Sequence, residues 1–431
     1  MTIGTIGLMP IVVPMVVAAM KNNDAMDTFA QYMEQVLYGP EGYYSAGLAK
    51  SGKKGDYFTA PDVGRVFGQL LAEIFKTWQT RLGAGHFSIV EVGAGEGRLA
   101  ADILAAHRFP YVAVERSAPR REALKELPSV DVYSDLASVP PTNGIVFGNE
   151  LIDAFPVHRV RMKNGRLEEM FVGAAPRGRP PSGSNESKSG ESESNSMTFN
   201  SDFGLSNPDF GRPQGAAPTF HWGFPSTPRL QSYFDRLGIA LPEDYETEVN
   251  LEMADWLKEA AQVLQKGLVV LIDYGRPAHD YYAPERSRGT LRCFKGHRLV
   301  DPFAGTQSSE LGPDFRRGDG MDWTSDVDFT SLALDARVAG FVPLAFMEMG
   351  TFLMMGIHGI VGAGLVPASD ERPSHSNPFR AGTRPAPTGL KYLLHPEGLG
   401  SAFHVIILGK GIDSGTWTFE HNRLRRLGLP A

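Results

Sequence analysis

One cysteine, Cys293, stands in 431 residues. That scarcity excludes an internal disulfide and a cysteine-based zinc site, and it fits a reducing compartment. Basic residues are also short: 42 Lys and Arg against 49 Asp and Glu leave a net charge of −7. No basic stripe is present, which argues against a nucleic-acid partner. Long apolar runs are missing too. The uncharged stretch from Met1 to Met20 is interrupted by Gly4, Gly7, Pro10 and Pro14, so it fits a membrane span of about 20 residues poorly. Its first basic residue, Lys21, follows the apolar segment instead of preceding it, and the arginines of a transit peptide are lacking. Ile11–Met20 is expected as a helix packed on the domain, and the protein as cytoplasmic. His221, His279, His358, His375 and His395 show no ligand spacing, so no metal is expected.

What is present centres on one short stretch. Phe87–Val92 is an apolar run that breaks into Gly93, Gly95 and Gly97, followed by Arg98–Ala106 with Leu99, Ile103 and Leu104 at helical spacing. Buried strand, glycine turn and amphipathic helix form the geometry of a nucleotide-type cofactor site, where a ligand approaches the backbone and the helix N-terminus offers free N–H groups. A dinucleotide fold would place a third glycine at position 98, which is Arg98. Glu91, two residues before Gly93, suits a ligand with an ammonium group. S-adenosylmethionine has one and NAD does not. A second strand, Tyr111–Val114, ends in Glu115, an acid placed to accept both ribose hydroxyls.

Helical periodicity also marks residues 25–38 and 66–82, and apolar runs mark strands at Val130–Tyr133, Ile145–Phe147, Leu268–Ile272, Phe341–Met347 and Phe403–Leu408. Glu248–Leu264 and Val327–Ala339 read as helices. Asn164-Gly165 signals a hairpin. Residues 182–201 are rich in serine and poor in apolar side chains, so 174–219 is expected as a disordered insertion. Strands alternating with helices imply a mostly parallel α/β sheet with helices on both faces.

A set of separate motifs then falls in order. These are Leu37-Tyr38, Gly42-Tyr43-Tyr44, Gly55-Asp56-Tyr57-Phe58-Thr59 with Pro61, Glu91–Gly97, Val114-Glu115 and Asn149–Val157. They continue with Glu248-Val249-Asn250, Ile272–Gly275, Gly289-Thr290-Leu291 with His297, Val327-Asp328-Phe329, and Leu394, Pro396, Gly400 and Phe403. In these the chain resembles the MidA family of class I S-adenosylmethionine-dependent methyltransferases, whose mitochondrial members serve as complex I assembly factors and methylate arginine in a protein. Asp62 stands where that family usually has Glu, and Met349 where a glutamine is expected. The resemblance implies a Rossmann-like class I methyltransferase fold, α/β in class. Residues 1–85 would form an N-terminal helical cap, 86–173 with 220–431 the core, and 174–219 the insertion.

The expected cofactor set is Glu91, Gly93, Gly95, Gly97, Glu115, Asp135, Asn149, Tyr44 and Thr59, with S-adenosyl-L-methionine as cofactor. The fourth strand should end beside it, which puts Asn149, Glu150 and Asp153 at the reacting centre. If the acceptor is arginine, its guanidinium is charged at physiological pH, and Glu150 and Asp153 could localise that charge while the Asn149 side-chain oxygen fixes the group. The same residues could instead cap the next helix. Tyr43, Tyr44 and residues 56–59 either cover the sulfonium as a lid or pack the loop, and His297 reads as scaffold. A protein substrate is the leading expectation. A small-molecule methyltransferase and a noncatalytic cofactor-binding assembly factor remain open, and Arg98 counts against an NAD-dependent oxidoreductase.

Overall fold

Apolar side chains on both faces leave Phe87–Val92 (β2), Thr142–Asn149 (β5) and Leu264–Arg276 (β10) no solvent side, and these strands occupy the middle of an eight-stranded sheet. The computed structural model describes residues 26–47, 49, 56, 59–83, 86–174, 218–300, 320–362, 389–395 and 398–429. The sheet runs Val342–Glu348 (β15), Phe403–Lys410 (β16), β10, β5, β2, Tyr111–Val114 (β3), Val130–Tyr133 (β4), and the short Val327–Asp328 (β14) pairs the end of β10. From β10 to β4 all neighbours are parallel. The expected mostly parallel sheet therefore holds for these strands, while β16 runs antiparallel to both β10 and β15. Strand order reverses between β5 and β2, and a crevice forms at such a point beyond the carboxyl ends of the strands.

Helices cover both faces. On one, Val66–Leu82 (α2), Arg98–Ala106 (α3) and Met349–Gly362 (α9) lie over the sheet, where Phe67, Leu71, Phe75 and Trp78 meet Ile89, Phe147, Leu268 and Val405. On the other, Glu252–Val263 (α6) and Phe329–Val338 (α8) bring Trp256, Leu257 and Leu332 against Val90, Val146 and Val269. Each fully buried side chain of this size contributes about 1.5–3 kcal/mol. The 66–82 helix, placed by sequence in the 1–85 segment, thus packs within the main core.

A second, five-stranded sheet comprises Asp27–Thr28 (β1), His158–Lys163 (β6), Arg166–Ala174 (β7), Pro218–Gly223 (β8) and Glu246–Val249 (β9). Asn164 and Gly165, with φ of 52° and 67°, make the two-residue turn between β6 and β7. Phe29–Tyr38 (α1) leaves β1 through a reciprocal cap. Thr28 Oγ1 accepts from Gln31 N at 3.2 Å, and Gln31 Oε1 accepts from Thr28 N at 2.8 Å. A third sheet joins Arg292–Lys295 (β11), Arg298–Val300 (β12) and Asp322–Thr324 (β13). Phe29, Met33, Met170, Cys293 and Trp323 bind α1, the second sheet and the third into one cluster.

Two helices begin later than expected. Residues 246–249 form a strand paired with β6, because Thr247 and Val249 suit a buried strand while Glu248 turns to the buried Arg159 guanidinium at 2.6 Å. Helix α8 starts at Phe329, where the Asp328 carboxylate accepts from Thr330 N and Ser331 N at 3.0 and 3.1 Å. The Ile11–Met20 helix, most of the 174–219 insertion, and Tyr57 and Phe58 lie outside the described residues. Among the described residues no helix is long and apolar enough to cross a membrane.

Candidate active site

The glycine turn follows β2 at the crevice, and its glycines have separate duties. All three hold positive φ (75°, 58° and 80°). A Cβ on Gly95 would meet nothing within 4 Å, and Gly95 borders a cavity of about 920 Å³. A Cβ on Gly93 would come within 3.1 Å of Leu151 Cδ1. Gly97 does not border the cavity, and a Cβ there would lie 2.7 Å from both Leu124 and Leu127. Gly97, expected as a cofactor contact, is therefore a packing glycine that seats α3 against Ala118–Lys125 (α4) and the residues after it.

Beside the turn, Glu91 is 3% exposed and its Oε2 accepts from the Tyr111 hydroxyl at 2.7 Å. Burial pushes this carboxyl up to about 8, against the opposing pull of the Tyr111 hydrogen bond. Glu115 holds the turn directly, accepting from Gly95 N and from Ser117 N, each at 2.8 Å. Asp135 borders the cavity at the tip of β4, and hydrogen bonds from Ser138 and Ser134 keep its carboxyl below the usual range.

The chain leaves β5 through a turn that aims acids into the same cavity. Glu150 takes φ 52°, and its N–H donates to Ile272 O at 2.8 Å. Its Oε1 accepts from Asn149 Nδ2 at 2.9 Å and from Ala60 N at 3.3 Å. Asn149 Oδ1 is buried and without a partner among the described residues. Asp153 is 5% exposed. Burial, then repulsion from Asp153, raises Glu150 well above the usual carboxyl range. Burial, then Asp273 and Asp322, does the same for Asp153. Asp273, on β10, shapes this turn. Its Oδ2 accepts from the N–H groups of Leu151, Ile152 and Asp153 at 3.2, 2.8 and 3.3 Å.

The roof comes from elements remote in sequence. Tyr38 and Tyr44 stack with ring centroids 5.4 Å apart, the Tyr38 hydroxyl donates to Ala154 O at 2.9 Å, and the Tyr44 hydroxyl donates to Asp322 Oδ1. Asp56 accepts from the Tyr43 hydroxyl at 2.6 Å and from Gly296 N at 2.7 Å, while its carbonyl accepts from His297 N at 3.0 Å. Thr59 donates through its N–H and hydroxyl to Asp62 Oδ2 at 2.9 and 2.8 Å, and Asp62 pairs with Arg98. The aspartate at position 62 thus ties the roof to the first turn of α3.

All the expected site residues except Gly97 border this one cavity: Glu91, Gly93, Gly95, Glu115, Asp135, Asn149, Glu150, Asp153, Tyr44 and Thr59. Tyr111, Asp273 and Asp322 were not among them. Asp273 lies inside a motif quoted above, and Tyr111 opens the strand that ends in Glu115, so both carried a signal. Asp322 had none.

The donor set fits S-adenosylmethionine. Glu91 offers an acceptor to an ammonium, Glu115 keeps lone pairs for ribose hydroxyls, the space over Gly95 is open, and Asn149 Oδ1 awaits a donor. Comparison with known proteins agrees. Residues 67–347 match the S-adenosyl-L-methionine-dependent methyltransferase family. The chain is 26% identical over 423 residues to mitochondrial protein arginine methyltransferase NDUFAF7 of Mus musculus, covering 88% of this chain and 80% of that protein. It is 24% identical over 360 residues to the homolog of Drosophila melanogaster, covering 75% and 70%. Among solved structures, a Burkholderia thailandensis protein bound to S-adenosyl-homocysteine superimposes with a TM-score of 0.67 at 25% identity, over 95% of each chain.

Proposed function

The chain belongs to the S-adenosyl-L-methionine-dependent methyltransferase family, and from that premise we propose that it methylates the guanidinium of an arginine in a protein. One observation carries the reading: the cofactor groups Glu91, Gly95 and Glu115, the half-buried Glu150 and the buried Asp153 border a single cavity. At about 920 Å³ it is at the upper end of the range for ligand pockets. The relatives in mouse and fly, named as arginine methyltransferases, support the acceptor.

The cofactor supplies a methyl group on a cationic sulfur. This chain's residues position the two partners and exclude water. Glu91 holds the ammonium, Glu115 the ribose, and the Asn149–Asp153 turn presents acids to the acceptor. A guanidinium drawn between Glu150 and Asp153 has its charge held on one side, leaving a nitrogen on the other to attack. Ionised by that pairing, the Glu150 carboxylate is placed to receive the proton that the methylated nitrogen sheds.

The test is transfer of labelled methyl from S-adenosylmethionine to fractionated protein, with the modified residue mapped by mass. Label on arginine is expected. Label on lysine, or only on small molecules, would overturn the acceptor assignment. In the same assay Glu150→Gln should keep cofactor affinity and lose roughly two to four powers of ten in transfer. Full activity would mean that the acceptor is held elsewhere.

A further inference from the structure

We infer that Asp322, on a strand outside the cofactor-binding sheet, works with Asp153 as a two-carboxylate clamp that selects a guanidinium over an ammonium as acceptor. The inference rests on the arginine reading above and adds the residue that decides selectivity.

Asp153 supplies the first observation. It is 95% buried (5% exposed) and borders the cavity, yet among the described residues no group donates a hydrogen bond to its carboxylate. Its electrostatic neighbours are mostly acids, Asp273, Asp322 and Asp326, with Arg292 the opposing cation. Arg292 is already committed to Asp326. In such company burial favours the protonated form of Asp153, and its ionised form calls for a cationic donor brought from outside the protein. Glu150 is differently placed, since Oε1 already accepts from Asn149 and Ala60.

Asp322 supplies the second wall. It is 3% exposed, borders the same cavity from β13, and is oriented by the Tyr44 hydroxyl on Oδ1. Arg120 offsets part of its charge, and Asp56 adds to it. Tyr38, Tyr44 and Tyr274 border the space as aromatic walls. A guanidinium is planar, carries five N–H donors in a fixed fork and stacks on aromatic faces, so it can serve carboxylates on two edges at once. An ammonium is a compact point charge that demands its own hydration and has no plane to stack. Two acids on separate elements, the turn after β5 and strand β13, therefore suit the first and leave the second under-solvated.

The probes are Nα-acetyl-arginine methylamide and its lysine counterpart, titrated by calorimetry into the full chain saturated with S-adenosylhomocysteine. The arginine probe should bind about tenfold or more tightly than the lysine probe. Asp322→Asn should weaken the arginine probe by about tenfold or more and leave the lysine probe and S-adenosylhomocysteine nearly unchanged. If Asp322→Asn binds the arginine probe like the native chain, or weakens both probes together with S-adenosylhomocysteine, the clamp is wrong while the arginine reading stands. If the native chain binds neither probe, or prefers lysine, the arginine reading falls and the clamp with it.

Discussion

Glu91 carries a consequence for cofactor binding. With its carboxyl pushed up to about 8 by burial, it holds a proton at pH 7 in the ligand-free protein, whereas an α-amino group is still largely protonated there. Pairing with an ammonium requires the ionised form, so binding at pH 7 should release about one proton. Calorimetry in two buffers of unlike ionisation heat reads that proton directly, and Glu91→Gln should abolish the difference. Equal heats in the native protein would remove Glu91 from the ammonium. The glycines make a second residue-level test. Gly97→Ala should cost roughly 1–3 kcal/mol of stability through the contacts with Leu124 and Leu127. Gly95→Ala, with open space at its Cβ, should cost roughly 1–2 kcal/mol for its positive φ and show its main effect as lost affinity for S-adenosylhomocysteine. The reverse pattern would exchange the two roles.

At the scale of elements, the turn after β5 stands on Asp273. Removing that carboxylate in Asp273→Ala leaves the N–H groups of Leu151, Ile152 and Asp153 without their acceptor, and a lost buried acceptor of this kind costs about 1–3 kcal/mol per group stranded. Denaturant unfolding should show a loss within that order, and transfer should fall with it because Glu150 and Asp153 lose their aim. Unchanged stability would mean that the turn is set by packing alone. The β7–β8 hairpin gives a contrasting case. Ala174 pairs with Pro218 and Gly173 with Thr219, so the ends of the serine-rich stretch already lie side by side. Replacing residues 175–217 by a short Asn-Gly turn should leave melting temperature and S-adenosylhomocysteine affinity intact. A fall of many degrees would show that the stretch contributes to the packed protein.

For the molecule as a whole, buried acids set the pH dependence of stability. Glu91 and Asp273 are raised to about 8, Glu252 to about 7, and Asp322 and Asp328 to about 6, with burial the first cause in each. Between their ordinary values near 4 and these raised ones the native state binds more protons than the unfolded chain, so stability falls as pH rises through that window. His404, lowered to about 4 by burial, works the other way between there and its ordinary value near 6.5, and it is one group against five. The ligand-free protein should melt higher at pH 5 than at pH 8, and saturating S-adenosylhomocysteine should narrow the gap by pairing Glu91. A melting temperature that climbs from pH 5 to pH 8 would contradict these assignments.

The sequence by itself determined the strand, glycine turn and helix at 87–106, the strand ending in Glu115, and the acids after Asn149. These are local patterns, set by side-chain period and by backbone positions that favour glycine, and they survive without knowledge of distant partners. It also marked the hairpin at Asn164-Gly165. It misread Glu248 and Val249 as the start of a helix because the burial of Glu248 against Arg159 is a long-range fact. Gly97 looked like its two neighbours until α4 and Leu127 were packed behind it. Asp322 is joined to Tyr44 across 278 residues, a distance over which no periodicity carries a signal. Only the tertiary structure decided that the roof of the cavity comes from α1 and the third sheet, because an acid acquires its neighbours, its burial and its proton affinity from the fold that surrounds it.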